Sequence, residues 1–211
     1  MLETNNFIIY FKHNEDFIEK LANDLENNLK LVLEFFEIQR LNIKIVVNIL
    51  SNKNDFESSF YNVHNFYPDL NAIGFYHDSK ITYLSFTELN KTNHKNESYE
   101  SYVNILIHEC VHFLHGYITN DKMSLRCFNE GIALFLGNQY DFVDYNKFNC
   151  SLDDLLNQKN IDYYNYYLIV NYLIENKPKK EVLNLLKNKD IAINELNNIY
   201  GELLKIKEKN K

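Results

Sequence analysis

The chain reads as an α+β domain, and three observations point to that class. Residues 1 to about 90 hold short β-branched and aromatic runs interleaved with helical stretches. From about residue 98 onward, apolar residues recur at helical spacing with capping signals between segments. No repeat period and no Gly- or Ser-rich linker interrupts either half, so the 211 residues, 45% of them hydrophobic, suffice for one domain with a shared core. We expect an N-terminal α/β lobe over about 1–117 and a helical C-terminal lobe over about 118–211.

Residues 6–12, NFIIYFK, are short, aromatic and β-branched, which predicts a strand. A helix follows from about Asn14, which can cap it, to near Ile38, with Glu15 and Asp16 suited to its first turn. Phe17, Leu21, Leu25, Leu29, Val32 and Phe36 form its apolar stripe. Residues 42–50, NIKIVVNIL, predict a second strand with Ile43, Ile45, Val47 and Ile49 on one face, and a short helix is expected around DFESSFYNV. Residues 70–86 read as a hairpin turning at Asp78 and Ser79, and 90–98 as a polar loop ending in Ser98, an N-cap for the next helix. That helix is expected to stop at Gly116. Further helices are predicted from about Ser124 to Leu136, after Ser151, through YYNYYLIVNYLIEN, after Pro178, and over roughly 190–205.

The formal net charge of −7 argues against a broad nucleic-acid surface, since the clustered Lys needed for phosphate contacts occur only in the C-terminal KIKEKNK. No apolar run approaches the roughly 18 residues that span a membrane, and the N-terminus lacks a basic leader, so a cytoplasmic location is expected. Cys110, Cys127 and Cys150 are an odd number at unrelated spacings and read as reduced thiols. Oligomeric state is not legible in the sequence.

One stretch stands apart. VNILIHECVHFLHG places His108, Glu109 and His112 inside an apolar run, and burying ionisable groups costs free energy unless they find partners. Residues four apart on a helix face the same way, so His108 and His112 can present two imidazoles to one ion. Two neutral nitrogens suit Zn²⁺, and Glu109 beside them can accept a proton from activated water. A catalytic zinc site needs a third protein ligand. Glu130, a charged residue ahead of the apolar run Ile132–Leu136, is a candidate; for that residue alone a solvated Glu at a helix N-terminus carries equal weight, and the upstream motif tips the balance towards a ligand. His115 cannot share an ion with both other histidines, because it lies roughly 10 Å along the helix axis from His108.

His108, Glu109 and His112, followed after 17 intervening residues by Glu130, Gly131 and Ala133, resemble the gluzincin metallopeptidases, and specifically peptidase MA-like domains whose HExxH motif precedes an EGxA segment. The stretch YYNYYLIVNYLIENKPKKEVLNLLKN is similar to the family's Tyr-containing helix after the site, and the N-terminal strand-helix-strand order also fits. The resemblance implies a thermolysin-like zincin fold with the cleft between its lobes. It implies hydrolysis of a peptide or protein substrate, with His108, His112 and Glu130 holding Zn²⁺ and Glu109 as general base. It also implies a downstream Tyr that stabilises the oxyanion, best matched by Tyr163 and then Tyr164. The segment Asn71, Ala72, Ile73 and Gly74 resembles the edge strand that pairs with extended substrate. A peptide- or partner-binding regulator without turnover is the alternative. A metzincin is excluded, because His115 and Ile118 stand where that class needs Gly and His. Leu134 stands where thermolysin-like enzymes often carry an acidic residue that orients a histidine, so the partners that orient the zinc ligands are not identified by motif. His13, His64, His77 and His94 read as solvent-facing.

Overall fold

The structure, a computed structural model, describes residues 1–12, 15–68, 71–119, 125–157 and 161–209. It is a mixed α and β protein with one five-stranded sheet and mostly helical content. Two compact units divide it, Met1–Phe113 and Leu114–Lys211.

In the first unit, β1 (Leu2–Glu3), β2 (Phe7–Tyr10), β3 (Ile45–Leu50), β4 (Gly74–His77) and β5 (Lys80–Leu84) form a sheet in the order β1-β2-β3-β5-β4. The three central strands β2, β3 and β5 are parallel, and parallel neighbours need crossover connections. Helices α1 (Glu15–Phe35) and α2 (Lys53–His64) lie in those connections. The pleat alternates faces, so Phe7, Ile9, Ile45, Val47, Ile81 and Tyr83 are all fully buried. Leu21, Leu25, Leu29 and Val32 of α1 are buried too, as their helical spacing requires. Each such aliphatic side chain contributes on the order of 1.5–3 kcal/mol by leaving water.

Some expectations are corrected here. Ile43 precedes β3 and is 49% exposed, because pairing with β2 begins only at Ile45. A 3-10 helix over Phe86–Lys91 follows the hairpin and takes in Asn90 and Lys91, the first two residues of the expected polar loop. The short strand β1, which pairs antiparallel with the expected strand β2, has no periodic signal in its two residues. The proposed cap Asn14 lies outside the described residues.

The hairpin β4–β5 turns where expected, with Asp78 at φ 47° and Ser79 at φ 61°. Two successive left-handed residues make the tight turn whose twist matches the flanking strands. β4 is an outer strand of the sheet. Gly74 and Tyr76 share one face with Tyr83, while Phe75 turns to Phe56 and Phe60 of α2.

The helix α3 (Tyr99–Thr119) begins after Ser98, whose Oγ accepts from the Ser101 N–H at 3.0 Å, as a capping serine should. Tyr83 donates its hydroxyl to the Tyr102 carbonyl at 2.8 Å, and Tyr102 donates to the Leu84 carbonyl at 3.0 Å. These two buried phenols tie α3 to β5. Burial holds both well above the usual phenol range, so they stay neutral donors. Gly116 does not stop the helix, which runs three residues farther. Tertiary burial of Leu114 and His115 outweighs the roughly 1 kcal/mol that an internal glycine costs.

The second unit is helical: α4 (Arg126–Leu136), α5 (Leu152–Asn157), α6 (Tyr163–Asn176), α7 (Lys179–Lys187) and α8 (Lys189–Lys209). Ser151 and Asp154 cap the start of α5 reciprocally, and Asp162 caps α6. Gly131 permits a close approach of two helices. A Cβ there would collide with the Tyr166 carbonyl and the Val170 side chain, so α4 and α6 touch backbone to backbone only because residue 131 has no side chain.

Candidate metal centre

Helix α3 delivers the first two donors. The Nε2 atoms of His108 and His112 stand 3.0 Å apart, with His108 buried and His112 half-buried. Four residues of helix return a side chain to nearly the same azimuth one turn on, which is why the pair converges. Two nitrogens on one tetrahedral Zn²⁺ at about 2.05 Å sit roughly 3.3 Å apart, so the observed spacing is near that of a shared ion.

Helix α4 delivers the third. One ring nitrogen from each histidine and one carboxylate oxygen of Glu130 all lie within 4.8 Å of one another, and they form the only three-residue group of metal-ligating side chains among the described residues. The donor set of two imidazoles and one carboxylate fits zinc, which takes His nitrogen and carboxylate oxygen in open catalytic sites. These are the three residues that the resemblance implies as ligands.

Glu109 lies beside the donors on α3 and is 9% exposed. Its aliphatic stem passes over β4, where a Cβ on Gly74 would stand 3.3 Å from Glu109 Cγ and 2.5 Å from the Tyr83 ring. The absence of a side chain at Gly74 thus makes room for both. Ile73 is buried, and its carbonyl accepts from the Leu84 N–H at 2.8 Å, extending the β4–β5 ladder. Ala72 is half-buried and Asn71 exposed. His94 is corrected from solvent-facing, since its Nε2 lies 2.8 Å from the Asn71 carbonyl and Asn93 donates to the Asn71 amide oxygen at 2.8 Å. His64 is also half-buried, its ring 4.2 Å from that of Phe60, and burial lowers its pKa. His77 is exposed and His13 lies outside the described residues.

A cation that no motif announces stands beside Glu130. Arg126 sits one turn earlier on α4, with Nε 3.7 Å from a Glu130 oxygen and Nη2 donating to the Tyr163 hydroxyl at 3.3 Å. The i, i+4 spacing of Arg126 and Glu130 was the available signal. Burial works against the guanidinium charge, but Tyr163 and Glu130 outweigh it and raise the pKa of Arg126 further. Tyr163 is thereby linked to the Glu130 carboxylate through Arg126. Tyr164 serves elsewhere: its oxygen accepts from the Asp144 N–H at 2.9 Å and its hydroxyl donates to the Phe142 carbonyl at 3.3 Å. The neighbouring Tyr166 is buried, and burial pushes its phenol up to about 12.

No known family, curated protein or solved structure matches the chain.

His115 is occupied in packing. Its ring Nε2 lies 3.2 Å from the Leu186 carbonyl at the end of α7, and the residue is buried. The three cysteines are free of disulfides. Burial pushes Cys110 well above the ordinary thiol value and Cys127 up to about 12, so neither offers a thiolate near neutral pH. No described helix is long and apolar enough to cross a membrane.

Proposed function

We propose that the protein is a zinc-dependent peptidase of gluzincin type. The observation that carries this reading is the convergence of His108, His112 and Glu130 donor atoms within 4.8 Å, with Glu109 on the same helix as the histidines. Zn²⁺ held by these three residues would supply a Lewis acid that polarises a peptide carbonyl and makes water easier to deprotonate.

The chain's own residues do the rest. Glu109 takes the proton from the attacking water and passes it to the leaving nitrogen, a role that needs a carboxylate held in place. The Glu109 stem lies close over Gly74, where a Cβ would stand 3.3 Å from its Cγ, and this close approach favours one carboxylate position. The outer strand β4 and the preceding Asn71–Ile73 segment receive extended substrate through backbone pairing. Tyr163, a phenol that can donate a hydrogen bond, stabilises the oxyanion that develops as water adds.

The test is direct. Protein purified without added metal is assayed for zinc by atomic absorption and incubated with a mixed-sequence peptide library read by mass spectrometry. About one zinc per chain and new peptide termini that vanish with a chelator are expected. Stoichiometric zinc without cleavage would turn the reading towards the peptide-binding regulator, and absence of zinc binding would end it.

A further inference from the structure

Arg126 is the charged group near the candidate ligands that the peptidase chemistry just described does not use. It is one of two arginines in a chain that otherwise takes its basic residues as lysine. Its side chain is 42% exposed, against 16% for Glu130, so it is partly open to solvent while its Nε stands 3.7 Å from the Glu130 carboxylate. The 3.7 Å separation from Glu130 is too long for a hydrogen bond, which makes that pairing electrostatic and leaves the Nε–H unspent on it. Tyr163 takes one N–H of Nη2 and fixes the plane of the guanidinium. A planar fork with remaining N–H groups is the side-chain geometry that grips a carboxylate at two points, which a lysine ammonium does not reproduce.

Charge points the same way. A dication held by His108, His112 and Glu130, together with Arg126, would stand against the carboxylates of Glu130 and Glu109 and leave one positive charge in excess. Glu130 engaged with the ion would attract Arg126 less and so leave the guanidinium available to an anion. Because α4 carries Arg126 one turn from Glu130, that anion would sit within about two to three residues of the scissile bond, at roughly 3.3–3.6 Å per extended residue.

We propose that Arg126, held by Tyr163, binds a carboxylate of the peptide substrate close to the cleaved bond and so sets specificity. The inference rests on the peptidase reading. Two sources supply that chemistry, the free C-terminus and an Asp or Glu side chain.

A binding measurement separates them without turnover. Zinc-loaded Glu109→Gln protein is immobilised and equilibrated with two isotopically distinguished mixed decapeptide libraries, one with free C-terminal carboxylates and one amidated. The retained fraction is quantified by mass spectrometry. At least roughly tenfold enrichment of the free-acid library identifies the C-terminus. Equal retention of the two libraries with similar enrichment of Asp or Glu identifies a side chain. In either case adding Arg126→Gln should bring the enrichment to about one at unchanged zinc content, and Arg126→Lys should retain only part of it. No carboxylate enrichment, or enrichment that survives Arg126→Gln, overturns the proposal. Loss of zinc from both Arg126 variants also overturns it, because Arg126 would then act by holding Glu130. Failure of either library to bind above a zinc-free control, together with no cleavage by the unmodified protein, would instead remove the peptidase reading on which the inference rests.

Discussion

Gly74 and Glu109 meet across the face of the hairpin, close enough that a methyl group on residue 74 would stand 3.3 Å from Glu109 Cγ. The same methyl would overlap the Tyr83 ring at 2.5 Å, and Tyr83 is pinned by its bond to the Tyr102 carbonyl. The outer strand, the tyrosine anchor of α3 and the proposed base are thus in one contact set. Gly74→Ala should lower stability by about 1–3 kcal/mol through overpacking. It should also reduce kcat while zinc content stays at the parent level, because the Glu109 carboxylate is displaced and the ligands are not. Urea denaturation, metal analysis and peptide turnover on one preparation check all three, and an unchanged kcat would separate Gly74 from the placement of Glu109.

Glu109→Gln preserves shape and removes the proton acceptor. Zinc should be retained and turnover should fall by at least roughly 10²-fold. Parent-rate hydrolysis by this variant would take Glu109 out of the mechanism.

Glu130 and His115 should behave oppositely. Glu130→Ala deletes one of the three converging donors, so zinc should be lost on dialysis against a weak chelator and hydrolysis should disappear. His115→Ala should keep zinc and activity. It should lower stability by about 1–3 kcal/mol, since it removes a buried ring and leaves the Leu186 carbonyl without that partner. If the His115 variant empties and the Glu130 variant does not, the ligand assignment is wrong.

Acid should weaken the N-terminal unit through Glu26. Burial raises its pKa, but hydrogen bonds from the Thr4 hydroxyl and from the backbone and side chain of Asn6 lower it below the ordinary value of 4.5 overall. A carboxyl whose folded pKa is depressed stabilises the fold above its unfolded pKa and loses that contribution as pH falls through the folded one. Stability should therefore decline below about pH 4.5, and Glu26→Gln should be less stable at neutral pH with a shallower acid limb. Thermal melts between pH 3 and 7 check it, and parallel acid limbs for the two proteins would contradict it.

What lay in the sequence was whatever depends on neighbours along the chain. The spacing of His108 and His112, the cap at Ser98, the turn at Asp78 and Ser79, and the stripe from Leu21 to Val32 follow from helical and strand periods acting over a few residues. Those local signals announced a mixed α and β chain and a two-histidine helix with Glu109 beside it. Glu130 could be named as a candidate third donor, but no spacing rule contains the 4.8 Å within which its donor atom and those of the two histidines lie. The link from Arg126 to Tyr163, the hold of His115 on the Leu186 carbonyl and the clearance between Gly74 and Glu109 join residues 35 to 71 positions apart. Gly116 shows the competition within one helix: its own propensity is to end the segment, and the burial of its neighbours carries the helix on to Thr119. Local preference is worth about 1 kcal/mol per residue, whereas burying one large side chain is worth two to three times that, so long-range packing overrides the local signal wherever the two disagree.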